Sequence, residues 1–243
     1  MLKSESMVVI EIESIRELAI ALLYMDVQKT ETPFVVNHPY TDSPHLTLKD
    51  GDKFRLCDIT QNENDLYAWQ QQMRTVLERM TEAHQFIGFI TKSYRIAFLK
   101  YAKPYLSDED LGQMLRTAWT TVGSPSHDPN ISKAAFVKLF RQAGIQNICD
   151  PDECRFVETI SSQEGLVIYR GTATDKKDDI CGLSWTTDPK IARWFANRYR
   201  QHGNLYKARI QRKDILAYFE GGESEVVVNP KGLQDIELME GAG

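Results

Sequence analysis

The sequence predicts an α+β protein, helical from its N-terminus to about residue 150 apart from a small β insert, and β-rich from there onward. Two observations predict it. Apolar residues recur at spacings of three and four through most of the first part, the period of one helix face, whereas after Glu164 they fall in short β-branched or aromatic runs. A composition of 42% hydrophobic and 26% charged residues over 243 positions is that of a folded globular chain, long enough to bury a core without disulfides.

Ile12, Ile15, Leu18, Ala19, Leu22 and Leu23 define an amphipathic helix over 11–26. From Thr32 to Thr60 the texture turns to Pro, Asp and Ser, and the run 46–59 alternates around Asp50-Gly51 as a hairpin does. The spacing of Leu66, Trp69, Met73, Val76, Leu77 and Met80 predicts one long helix or two abutting ones over 64–101, weakened at Gly88 and ended by Pro104. Ser107 followed by Asp108, Glu109 and Asp110 reads as an N-cap with an acidic first turn, opening a helix to about Val122. After a loop at 123–130, in which His127-Asp128 reads as turn chemistry, a further helix spans about Ser132 to Ala143 and stops at Gly144. Strand-like runs then start near Leu166, Leu205, Ile215 and Ser224, with one amphipathic helix from Pro189. The expected division is 1–105, 106–160 and 161–243.

The net charge of −5 gives no global reason to bind nucleic acid or an anionic membrane, so partners have to be argued locally. The N-terminal apolar stretch contains acidic residues, has no small-residue cleavage site and is too short to span a bilayer; the expectation is a cytoplasmic protein without membrane contact. Cys57, Cys149, Cys154 and Cys181 are scattered and are expected to be reduced thiols. His38, His45, His84, His127 and His202 show no metal-ligand spacing, and no metal is expected. Neither a Gly-rich dinucleotide fingerprint nor a phosphate-binding P-loop is present, which argues against dehydrogenases and P-loop enzymes.

Three short signals follow one another in the last 80 or so residues. Tyr169-Arg170-Gly171 ends an apolar strand, where a guanidinium can grip a phosphate with two prongs and a glycine lets the backbone approach a ligand. By itself, an arginine at a strand end is as a rule a solvated charge. Ser184-Trp185-Thr186-Thr187-Asp188 precedes Pro189 and a helix, where the hydroxyls can cap that helix or hold a neighbouring carboxylate; a plain strand end with an Asp cap accounts for it almost as well. Glu223 and Glu225 stand two residues apart before Val226-Val227-Val228, a spacing that projects both carboxylates from one side of a strand with Cβ atoms about 7 Å apart. Paired carboxylates can divide roles, one stabilising positive charge and the other handling a proton. An exposed acidic edge is the plainer account.

The order of the three, Tyr-Arg-Gly, then Ser-x-Thr-Thr before a helix, then Glu-x-Glu, resembles the Arg-Ser-Glu class of ADP-ribosyltransferases over about 165–240. The region 106–160 resembles the helical lead-in of intracellular bacterial and phage proteins of this kind. The resemblance implies a compact domain of two apposed small sheets that uses NAD as substrate. Tyr169, Arg170 and Gly171 would hold the NAD phosphates or adjoining ribose. Ser184 would hold the NAD-binding strand and orient the catalytic carboxylate, with Thr186 beside it. Trp185, where the family has a small hydroxyl residue, would be core filler or a stacking face for nicotinamide. Glu225 would meet the 2′-hydroxyl of the nicotinamide ribose as the glycosidic bond breaks, and Glu223 would deprotonate the acceptor. A Glu at that place implies protein arginine, whose guanidinium is a poor nucleophile until a base takes a proton.

Arg193, Arg198, Arg200, Lys207, Arg209, Arg212 and Lys213 follow without an intervening Asp or Glu, which keeps RNA or DNA open as the acceptor. Water as acceptor, making the protein a NAD glycohydrolase, and a catalytically inert binding module complete the alternatives. An intracellular modifier of this class implies a toxin, a phage-borne enzyme or a defence effector, with an inhibitory partner such as an antitoxin.

Overall fold

The computed structural model describes residues 2–198 and 203–240 and forms two compact units, Met1–Pro125 and Ser126–Gly243. The chain is a mixture of helix and sheet, as the α+β expectation has it.

The first unit begins with α1 (Leu2–Leu23), whose Ile15, Ala19 and Leu23 form one buried stripe. Two short strands, β1 (Gln28–Lys29) and β2 (Val36–Asn37), pair, and a hairpin of β3 (His45–Asp50) and β4 (Lys53–Asp58) turns at Gly51, whose φ of 60° is a conformation glycine adopts at least cost. Where one long helix or two abutting ones were expected over 64–101 there are three helices, α2 (Glu63–Glu78), α3 (Ala83–Phe89) and α4 (Arg95–Ala102). The breaks have local causes. Glu82 is extended and makes a capping box with Gln85, and Ile90 and Thr91 are extended as well. Splitting the segment lets Leu77, Phe86, Ile87, Ile96 and Leu99 all be buried, which a single straight helix with one face cannot do. Next comes α5 (Asp108–Thr121), capped by the Ser107 hydroxyl, which accepts from Asp110 N at 3.0 Å; it packs in this unit against α3 and α4.

The second unit opens with α6 (Lys133–Ala143), ended at Gly144 with φ 77°, then α7 (Ile145–Ile148) and α8 (Pro151–Thr159). The strands β5 (Leu166–Thr172), β6 (Ser184–Thr186), β7 (Asn204–Ile210), β8 (Ile215–Phe219), β9 (Glu225–Val228) and β10 (Leu233–Glu240) form one antiparallel sheet in the order β10-β7-β5-β6-β9-β8. Two helices interrupt them, α9 (Lys177–Ile180) and α10 (Pro189–Asn197). Two apposed sheets were expected; among the described residues this unit has one. It is nevertheless nearly divided, because β5 and β6 meet at a single register pair, Tyr169 with Thr186, while β5 pairs with β7 along its whole length. Two three-stranded halves therefore join at one point.

One face of the sheet is the core: Ile168, Trp185, Tyr206, Ala208, Ile210, Tyr218, Val226 and Val228 cluster with Val157 and Ile160 of the α8 segment. Strand alternation turns Gly171 and Leu205 to the other face. There α10 lies so close that a Cβ on Gly171 would stand 1.9 Å from Ala192 O. Among the described residues no helix is long and apolar enough to cross a membrane, and all four cysteines are free thiols.

Candidate functional site

The joint between the two half-sheets gathers the three motifs. The direction of backbone carbonyls explains how. Leu183 O accepts from Val228 N at 2.8 Å, which turns the next carbonyl, Ser184 O, toward the edge that β5 leaves after Tyr169. The Arg170 guanidinium enters that gap: Nη1 donates to Ser184 O, and Nε donates to Asp179 O at 2.7 Å. Gly182 leaves room for it, since a Cβ there would lie 2.4 Å from Arg170 Cζ. The side chain thus holds the segment 179–184 against β5. Burial pushes the guanidinium below its ordinary pKa, while Asp179, Glu225 and Cys181 act in the opposite direction. An arginine keeps its proton under such a shift. Among the described residues its remaining nitrogen, Nη2, has no acceptor, so the fork retains donors for an added anion.

Thr186 ties the second motif to the third. Its hydroxyl donates to Glu223 O at 2.7 Å and accepts from Asp188 N at 3.1 Å, and Thr187 N donates to Ser224 O at 3.2 Å. Glu225 is the register partner of Thr186 on one side and Phe219 on the other. Alternation puts Ser184, Thr186 and Glu225 on the α10 face and Arg170 on the core face. The helix cap is Asp188, accepting from Lys190 N at 2.7 Å, with Pro189 in the first turn.

The carboxylate pair departs from the expected geometry. Only Glu225 begins the strand; Glu223 lies in the preceding turn, and between them Ser224 has φ 43°, a left-handed conformation that removes the simple two-residue alternation. The two side chains therefore do not share one pleated face, and Glu223 is exposed while Glu225 is half-buried. The turn is held from several sides. Ser224 N donates to Gly221 O at 2.8 Å, and Glu220 N donates to the buried Glu153 carboxylate at 3.1 Å, whose other oxygen accepts from Asp150 N at 2.8 Å. Such a strained residue fixed by its surroundings is a common companion of functional loops.

Trp185 is 2% exposed, donates from Nε1 to Gly182 O at 3.0 Å, and sits in the core cluster. Tyr169 is half-buried between its register partners Thr186 and Lys207. Of the basic run, Lys207 pairs with Glu237 at 3.5 Å, Arg209 with Asp235 at 3.9 Å, and Arg212 donates to Glu158 O at 3.3 Å; β10 carries acids that sequence proximity did not reveal. Arg200 and His202 lie outside the described residues, and His127 is exposed at the end of a short 3-10 helix, Pro125–His127. Sequence reasoning missed Asp179, Gly182, Glu153 and Ser224. Only Gly182, just before a strand, carried a signal, that of close approach. Among the described residues no group of three or more His, Cys, Asp or Glu could hold a metal ion.

No protein-family model, curated protein or solved structure matches the chain.

Proposed function

We propose that the chain is a mono-ADP-ribosyltransferase that cleaves NAD and passes ADP-ribose to a macromolecular acceptor, with protein arginine as the acceptor that Glu223 implies. The observation that carries the reading is the convergence of three separated motifs: Arg170 bonded to the Ser184 carbonyl, with Glu225 close enough to act on its charge. The nearly divided sheet supports it, in the sense that two half-sheets meeting at one pair are close to the two-sheet domain the resemblance implies.

In this reading the spare Nη2 donors of Arg170 take a phosphate or ribose oxygen of NAD. Gly182 and the 179–184 segment keep that guanidinium from rotating away. Glu225, half-buried, meets the 2′-hydroxyl of the nicotinamide ribose and stabilises the oxocarbenium-like state formed when the C–N bond breaks and nicotinamide leaves with the electron pair. Ser184 orients it from the adjacent strand. Glu223, exposed at the turn, takes the proton of the attacking group as that group bonds to the anomeric carbon.

The test incubates the purified protein and its Glu225→Gln variant with labelled NAD and cell lysate, following nicotinamide release and label transfer. The wild type is expected to release nicotinamide and label protein bands, and the variant to lose at least about a hundredfold in rate, the scale of one transition-state electrostatic contact. Release without transfer identifies a glycohydrolase. Absence of NAD consumption in both proteins overturns the enzyme reading.

A further inference from the structure

The exposed side of α10 carries a feature the candidate site does not use. Trp194 is 57% exposed although it is among the largest apolar side chains of the protein. Its ring meets Phe195 edge-on at 4.9 Å, and the Arg198 guanidinium lies over it, 5.2 Å from the ring centre. The three form a tier of Phe195, Trp194 and Arg198 that ends outward in a planar cation. Lys190 is exposed on the same helix, and from Pro189 to Lys213 there is no acidic residue. Further along this stretch, Lys207 and Arg209 of the sheet pair with Glu237 and Asp235 of β10.

We propose that this face of α10 docks single-stranded nucleic acid. An aromatic ring and a guanidinium plane both accept a stacked base, and neither distinguishes one base from another. Lys190 and Arg198 place positive charge where the backbone phosphates of the stacked strand would run. A duplex suits the site poorly, because its bases are stacked on each other and cannot reach the tier. An acidic peptide satisfies the charges but leaves Trp194 without a stacking partner, so the aromatic at the centre of the patch favours the nucleic acid. The inference does not depend on NAD chemistry, although α10 begins three residues after Thr186 and packs over Gly171, which places the strand beside the candidate site.

The experiment measures anisotropy of a labelled oligo-dT and an oligo-U of about twelve nucleotides, a duplex of equal length and poly-glutamate, with the full chain. Nicotinamide release from NAD is measured in parallel. Both single strands are expected to bind, and to weaken by about tenfold or more between 50 and 200 mM salt, as several phosphate contacts require. Trp194→Ala is expected to cost roughly tenfold in affinity, the scale of one lost base stack, and Trp194→Phe to restore most of it. Oligonucleotides should quench the tryptophan emission of the wild type and quench that of Trp194→Ala less. An exposed side chain such as Trp194 can be removed without unfolding, and unchanged nicotinamide release in Trp194→Ala serves as the control if the protein is an enzyme; an unchanged circular dichroism melt serves otherwise. No single-strand binding at 50 mM salt, equal binding of duplex, or binding indifferent to Trp194 overturns the proposal. Poly-glutamate binding as tight as the oligonucleotides and equally dependent on Trp194 overturns it in favour of an acidic protein partner. Loss of NAD cleavage with strand binding intact would sink the enzyme reading alone.

Discussion

Replacing Gly171 by alanine adds one methyl group at the closest helix-to-sheet contact of the second unit. Its carbon would stand 1.9 Å from Ala192 O, 2.4 Å from Ala196 N and 3.0 Å from Ala192 C. Ordinary contact begins near 3.5 Å, so the nearest atom is roughly 1.5 Å too close. All three atoms are backbone of α10, and no side-chain rotation relieves the overlap; the helix has to lift as a body. Overpacking of well-fitted interiors costs about 1–3 kcal/mol, and a backbone-on-backbone clash belongs at the upper end. The expected loss is about 3 kcal/mol, or roughly 10 °C in Tm for a unit of this size. Lifting α10 also disturbs β5 beside Arg170, so on the proposed reading NAD affinity should fall with stability. The assay is urea denaturation of the wild type, Gly171→Ala and Gly222→Ala followed by circular dichroism. Gly222 has nothing within 4 Å of its missing Cβ and serves as the neutral comparison. If Gly171→Ala stays within about 0.5 kcal/mol of the wild type, the close packing of α10 on β5 is not what holds this face together, and the account of the glycine in the first motif is wrong.

Two further outcomes are expected. Thr186→Val keeps shape but leaves Glu223 O and Asp188 N without the hydroxyl; it should cost about 1–2 kcal/mol in stability and, with the turn that carries Glu223 loosened, lower nicotinamide release by roughly tenfold at unchanged NAD KM. Equal activity in Thr186→Val would show that the hydroxyl does not position the turn. His38 is fully buried, its Nδ1 accepts from Tyr40 N at 3.1 Å, and burial pushes its pKa below the ordinary 6.5. A depressed histidine pKa means the unfolded chain takes up the proton first, so stability is retained above 6.5 and declines as pH falls below it, by at most about 1.4 kcal/mol per pH unit. Denaturation midpoints of the wild type and His38→Gln between pH 7 and 5 check this: the wild type should fall more steeply, and parallel slopes would refute it.

Much of the fold was legible in the sequence because its signals are local. The Ser107 cap with three acids behind it, the stop of α6 at Gly144 and the hairpin at Gly51 are set by backbone preferences within a few residues, and each stands where those preferences put it. The identity and order of the three motifs were legible for the same reason, as strings of neighbouring residues. What periodicity did not decide was where helical pattern breaks between Glu78 and Arg95, since a capping box at Glu82 and two extended residues at Ile90 and Thr91 outweigh a continuous apolar spacing only when the pieces have separate surfaces to bury.

The site belongs mostly to tertiary structure. That β5 and β6 touch at one pair, that Arg170 fills the opening, and that Asp179 and Gly182 hold it there depend on contacts between segments separated along the chain. Sequence spacing put Glu223 and Glu225 on one strand face; the left-handed Ser224 and the hold of Glu153 on Glu220 moved Glu223 into a turn. The basic run likewise looked uninterrupted until β10 laid Asp235 and Glu237 beside it. The sequence by itself determined which chemical groups are present and in what order. Only the folded chain decided which of them share a joint, because hydrogen bonds and charges act over a few ångströms of space and take no account of distance along the backbone.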